Sequence, residues 1–231
     1  ALAAAYNSAG VLHSAADRRE EALKAFTQAR TLLESAVDSG GPKAQAQLAA
    51  VWGNIGRLDL KGSAALRNLS GAASLSLEAF LGGLAGGDGH LTAARRALET
   101  ARDIREKLVR EEGDPEQEAA LAGDEVRLSV LRLAAEEKPA ALEGCRRGLA
   151  RLNKVRRVND GYAGAPAEAG ETYFLGGALL MLLDQTDEAA AAFRQAVTQQ
   201  RKRLDQTPGD RTARKELSRS YYHLGAMQLK Q

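Results

Sequence analysis

Four aromatic residues in this chain, Tyr6, Trp52, Tyr173 and Tyr221, each stand four positions before a glycine: Gly10, Gly56, Gly177 and Gly225. The residues on the C-terminal side of those glycines constrain the fold more than any other feature. After Gly10 come Ala22, Phe26 and Ala29 at distances of 12, 16 and 19 residues, and after Gly177 come Ala189, Phe193 and Ala196 at the same distances. Gly56 has the same triplet as Ala94, Leu98 and Ala101, delayed by 26 residues. A degenerate copy centres on Ser129, with Ala141, Cys145 and Gly148 after it. The anchors are separated by 46, 73, 48 and 48 residues, and the 73 becomes 47 once the delay is removed. A fixed period of this length is the mark of a repeat array, in which each unit buries its apolar face against its neighbours.

Composition says what each unit is made of. Aromatics make up 4% of the residues and there are only two isoleucines, Ile55 and Ile104, against abundant Ala, Leu, Arg and Glu. Scarce β-branched and aromatic side chains favour helix over sheet. Pro42, Pro115, Pro139 and Pro166 all fall where a helix is expected to start, and Pro208 falls in the loop QTPGD. Those are the places where a missing N–H does no harm. Asp114 before Pro115 reads as an N-cap with the first helical residue after it. The run YFLGGALLMLL, Tyr173–Leu183, lies between Glu171 and Asp184. It is too short to span a bilayer, which takes about 20 apolar residues. It reads as core, with Gly176 and Gly177 allowing close helix packing. All four anchor glycines are expected at such close crossings.

The pattern of an aromatic four before a glycine, with A-x3-F-x2-A after it, resembles the tetratricopeptide repeat (TPR) family, in a long-period variant of 46–48 residues. The resemblance implies an all-α fold, a right-handed superhelix of antiparallel helix pairs A and B. It implies a single domain over 1–231, with units of about 1–41, 42–113, 114–163 and 164–208 and a half-unit at 209–231. The longer period implies longer helices, by roughly 20 Å in total at 1.5 Å per residue. A narrower likeness, carried by Pro208, Asp210, Arg214, Leu217 and SYYHLG, is to the C-terminal arrays attached to some bacterial Ser/Thr protein kinases.

Residues 62–89 are the insertion. Leu66, Leu69, Ala73, Leu77, Phe80 and Leu84 recur at helical spacing, which predicts one amphipathic helix with a Gly-rich return to helix B near His90. It is either a surface helix or a contact element that covers a groove or meets another chain. GGLAGGDG lacks the preceding strand and the Gly-Lys-Ser/Thr ending that a phosphate-binding loop requires.

No constellation of catalytic groups is legible. His13, His90 and His223 are isolated, with no partner at metal-ligand spacing, and no kinase, hydrolase or dinucleotide motif occurs. No cofactor or metal is expected. The single Cys145 excludes an intrachain disulfide, fits a reducing compartment and reads as a small buried residue. The formal charge of +2 comes from 32 basic and 30 acidic side chains, interspersed, which gives no field for nucleic acid or anionic lipid. The basic run Lys154–Tyr162 has one aromatic, too few for a stacking platform. The chain opens ALAAAYNS, without methionine or signal pattern, and reads as a piece of a longer cytoplasmic protein.

The resemblance therefore implies a non-enzymatic protein-interaction scaffold that binds a peptide or partner protein in a concave groove lined by the A helices. The residues it places there are Asn7, Asn54, Arg57, Arg127, Phe174, Arg219, Tyr222 and His223. The family's carboxylate-clamp lysine and asparagine correspond to Asn7 and Val11, so that clamp is not reproduced. The arginines favour an acidic peptide, unless they pair with acids on neighbouring helices. Two further readings are a regulatory tail of a bacterial signalling enzyme and a self-association module using residues 211–230.

Overall fold

A computed structural model of the chain describes residues 1–71, 76–82, 89–158 and 166–228. Every regular element among the described residues is helical. In chain order these are α1 (Leu2–Ala15), α2 (Arg19–Glu34), α3 (Val37–Gly62), α4 (Ala64–Gly71), α5 (Leu77–Gly82) and α6 (Gly89–Glu112). Next come α7 (Pro115–Ala134), α8 (Lys138–Val158), α9 (Pro166–Leu182), α10 (Thr186–Gln206) and α11 (Arg211–Gln228). The chain gathers into two compact units, Ala1–Ser63 with Gly87–Asp124, and Ala64–Gly86 with Glu125–Gln231.

The helices pack in pairs, α1 with α2, α3 with α6, and α9 with α10, and α11 packs on α10. The anchor residues explain why. A Cβ on Gly10 would overlap the ring of Phe26, one on Gly56 would lie 2.6 Å from Leu98 Cγ, and one on Gly177 would lie 3.1 Å from Phe193 Cδ1. Each glycine of a first helix thus meets the large residue sixteen positions further on in the undelayed register. Leu98 fills that role across the 26-residue delay. Ser129 does the same for α7 and α8 with the roles reversed: its Oγ occupies the space that a Cβ on Gly144 would need. Gly225 differs, because nothing lies within 4 Å of the Cβ it lacks. The expectation that all four glycines sit at a close crossing fails there, since among the described residues no second helix comes after α11.

The glycine pair in the apolar run divides its work. Gly177 faces Phe193 of α10, while Gly176 faces Leu149 of α8, with a Cβ–Cδ2 distance of only 2.9 Å. Residues 172–180 are buried without interruption, as a helix that is apolar all round its circumference must be. Cys145 is fully buried beneath the same crossing, 3.7 Å from the carbonyl of Gly176.

Each direct turn from first to second helix uses one device. Asp17, Glu136 and Asp184, seven residues after Gly10, Ser129 and Gly177, have φ of 55°, 61° and 57°. The next residue closes the motif: Arg18 N–H donates to His13 O, Glu137 N–H to Arg132 O and Gln185 N–H to Leu180 O, all at 2.9 Å. This is a Schellman-type termination, built without glycine. Ser63 holds the corresponding position after Gly56 and is extended, with φ −78° and ψ 154°, so the chain leaves the repeat there.

The prolines mark helix starts. Asp114 Oδ1 accepts from Glu116 N–H at 2.8 Å, capping α7, and Asp210 Oδ1 accepts from Ala213 N–H at 3.0 Å, capping α11. Pro42 comes directly after Gly41, whose φ of 60° and ψ of −162° break the line of α3, so a regular helix begins at the proline.

The insertion is not one helix. It forms α4 and α5, with Ser76 Oγ accepting from Ala79 N–H to start the second. Ala73 and Leu84 lie outside the described residues, as does most of the Gly-rich return. Ala65, Leu69 and Phe80 are buried, and α4 packs against α9.

Candidate functional site

In the first compact unit, the first helices α1 and α3 bring Asn7 and Asn54 together. The Asn54 Nδ2 donates to Asn7 Oδ1 at 3.0 Å, on two half-buried side chains. A primary amide carries two donor hydrogens and two acceptor lone pairs. The bond between them uses one donor of Asn54 and one lone pair of Asn7, and the amides keep further donors and acceptors. Arg57 is half-buried one turn after Asn54.

Arg19 of α2 braces the end of α3 by donating to Leu58 O at 2.6 Å and pairing with Asp59. Arg105 and Asp124 form an ion pair with both side chains buried.

In the second compact unit, the predicted groove residues separate into two environments. Arg127 is 4% exposed and its Nη2 lies 3.0 Å from Glu171 Oε2. The alternative for the arginines, pairing with acids on neighbouring helices, holds here. Glu125 takes Arg147 at 2.8 Å and Arg151 at 3.2 Å from α8. On α11, Arg219 is half-buried and adds its charge to Glu216 and His223. Arg203 of α10 binds Asp210 at 2.8 Å and Glu216 at 3.1 Å. Burial raises the Glu216 carboxyl above the ordinary range, partly opposed by Arg203 and reinforced by Glu171. The Asp210 carboxyl is lowered, first by its bond from Ala213 N–H.

Phe174 and His223 are corrections to the groove set. His223 is 3% exposed and stacks on Phe193, with ring centroids 4.9 Å apart and planes 3° apart. Phe174 meets both rings edge-on, at 5.7 Å from Phe193 and 5.6 Å from His223. These two side chains hold α9, α10 and α11 together and present nothing to a ligand. Tyr222 is 58% exposed and touches this cluster only at the edge of His223.

A recurrent contact has no counterpart among the sequence expectations. The aromatic four before an anchor is covered by an arginine of the preceding second helix: Arg30 over Trp52 at 5.0 Å, Arg156 over Tyr173 at 5.7 Å and Arg201 over Tyr221 at 5.4 Å. These arginines stand 20, 27 and 24 residues after their own anchors. No constant spacing announces them, but 20, 24 and 27 share one face of a helix.

Among the described residues no three His, Cys, Asp or Glu side chains come together in a way that could hold a metal ion. The Cys145 thiol, pushed up to about 12 mainly by burial, is held in its unreactive protonated form. No helix among the described residues is long and apolar enough to cross a membrane. No family model matches the chain, and no curated protein matches it.

Proposed function

We propose that this chain is a TPR-like protein-interaction scaffold without enzymatic activity, and that its peptide site is the face of α1 and α3 around Asn7, Asn54 and Arg57. The observation that carries the reading is the half-buried amide pair, Asn54 Nδ2 to Asn7 Oδ1 at 3.0 Å. An extended peptide presents an N–H and a C=O at each residue, and paired asparagines answer both without demanding a particular side chain. Arg57 lies one turn from the pair and already has an interaction within the protein, so the reading rests on the two amides. The second compact unit does not add to the site. Arg127 is spent on Glu171, and Glu216 lies close enough to Glu171 for the two charges to oppose.

An array of twelve-residue peptides in acidic, neutral and basic sets tests the reading, with fluorescence anisotropy on those retained. Peptides from all three sets should bind, with affinities that change little with salt, because neutral amides read the peptide backbone. Asn54→Ala should weaken binding about tenfold, the scale of one or two hydrogen bonds. Absence of binding in all three sets, or equal binding by Asn54→Ala, refutes the assignment.

A further inference from the structure

The seat of α11 is built from different material than that of α9. The residues five and two before the anchor and two after it are Thr172, Leu175 and Leu179 in α9, all buried. In α11 the same positions hold Ser220, His223 and Met227, again all buried. Ala213 is the other buried residue of α11 among those described, while Leu217 and Leu224 are half-buried. Two of the four buried side chains on this helix are polar. Elements with little apolar burial are the ones that open locally, ahead of the rest of a domain.

His223 is the centre of that seat. Its Nδ1 is buried and has no hydrogen-bond partner among the described residues. A neutral imidazole tolerates this, because one ring nitrogen can keep a bare lone pair. An imidazolium cannot, because both nitrogens then carry hydrogens that require acceptors. Burial against Phe174 and Phe193 is the main reason the ring's pKa is lowered, and Arg219, one turn earlier, adds like charge. A cation over the Phe193 face recovers some energy, but a phenyl ring in this stack offers no acceptor to the new N–H. Among the other charged groups of these three helices, Glu171 on α9, Arg203 on α10 and Glu216 on α11 act on one another. Glu171 is paired with Arg127, and Glu216 with Arg203.

We propose that α11 is an acid-released latch: a proton taken up by His223 drives Arg211–Gln228 off α9 and α10 and uncovers Phe174 and Phe193, while the rest of that compact unit stays folded. The direction comes from linkage. A docked ring with a lowered pKa refuses a proton that the released ring accepts near its ordinary value of 6.5. Docking therefore weakens as pH falls below about 6.5, and the loss is complete once pH passes the docked ring's lower value. Glu216 works the other way. Its raised carboxyl is the more uncomfortable when ionised, so protonating it strengthens docking as pH falls. The lowered Asp210 carboxyl that caps α11 also weakens docking when it is protonated, but only as pH falls toward and below its ordinary value of 3.8. A weakening between pH 6.5 and 5 therefore comes from the imidazole.

Hydrogen exchange read by mass spectrometry at pH 7.5, 6.0 and 5.0, corrected for intrinsic exchange, tests the latch. Peptides from residues 211–228 should lose protection about tenfold per pH unit below 6.5, until the docked ring titrates. Peptides from α9 and α10 should keep theirs. His223→Phe retains an aromatic ring and removes the titration, and it should leave α11 protected throughout. His223→Leu serves as a second variant and should behave alike. Equal loss across α9, α10 and α11 means global unfolding and overturns the proposal. So does an acid response that survives both substitutions.

Discussion

The four anchor glycines occupy one register position, yet alanine should act on them with opposite signs. In a helix interior, glycine to alanine gains up to about 1 kcal/mol of helix propensity. At Gly225 nothing lies within 4 Å of the new Cβ. The gain there is unopposed, about 0.5–1 kcal/mol, because the site is close to the end of α11. At Gly177 the methyl would lie 3.1–3.2 Å from three atoms of the Phe193 ring. The ring must slide a few tenths of an ångström, and gain and cost about cancel. At Gly56 the methyl would lie 2.6 Å from Leu98 Cγ and also 3.3 Å from the Leu98 backbone nitrogen. Rotating the leucine cannot relieve both contacts, so α3 and α6 must separate. Overpacking of this kind costs about 1–3 kcal/mol, which leaves a net loss of about 0–2 kcal/mol. Gly10, whose methyl would enter the Phe26 ring, belongs with Gly56. Thermal midpoints by circular dichroism should rise for Gly225→Ala, hold for Gly177→Ala, and fall for Gly56→Ala and Gly10→Ala. At about 2–4 °C per kcal/mol for a domain of this size, the spread is readable. A Gly56→Ala midpoint that rises as far as that of Gly225→Ala would refute the close-crossing account of the repeat.

Glu136 adopts φ 61° at a helix end, a conformation natural to glycine and worse for glutamate than for aspartate. Glu136→Gly should therefore raise stability by about 1 kcal/mol in urea titration, and by more than Asp17→Gly or Asp184→Gly. Gln200 is buried with neither amide atom hydrogen-bonded among the described residues. Gln200→Leu should stabilise by about 1–3 kcal/mol, and a destabilised variant would show that the amide is satisfied in solution. Breaking the buried Arg105–Asp124 pair with Asp124→Ala should cost about 3–5 kcal/mol, whereas Arg105→Met with Asp124→Leu should restore most of it. Denaturation midpoints of the single and double variants measure both.

Much of the fold was legible because the repeat is written in small residues. Glycine and alanine at crossings are demanded by sterics, and they leave the same trace wherever two helices meet. The turns were not legible. Asp17, Glu136 and Asp184 take a glycine-like conformation because the closing hydrogen bond from the next residue outweighs a strain of about 1–2 kcal/mol. Nothing in an Asp-Arg, Glu-Glu or Asp-Gln pair declares this. The insertion was misread for a related reason. Helical spacing survives a break between two short helices that each bury apolar residues, so periodicity alone joined α4 to α5. The groove set failed where it transferred a register position without its surroundings. Asn7, Phe174 and Tyr222 all stand three before an anchor, but they are half-buried, buried and exposed in turn. The signal that separates Phe174 was present, since α9 carries no polar face through its centre and so cannot offer one to solvent.

The joints between successive repeats use the same positions with different chemistry. Residues 23 after one anchor and five before the next are Leu33 and Val51 at the first joint, where both belong to one apolar cluster. At the second joint, counting from the delayed triplet, they are Arg105 and Asp124, an ion pair. Apolar contact is the more economical of the two, because burying a charge pair recovers little beyond its desolvation. The difference lies in selectivity. A leucine accepts any apolar neighbour of suitable size, and a repeat chain has several nearly equivalent helices to offer. Arg105 accepts only a helix that brings an acid to that point. Val51 or Thr172 brought to the same register position would leave the guanidinium buried without a counter-charge, at several kcal/mol. The pair therefore adds little to the depth of the native well and much to the gap separating it from misregistered packings. A period of 46–48 residues rich in alanine and leucine does not by itself supply that gap.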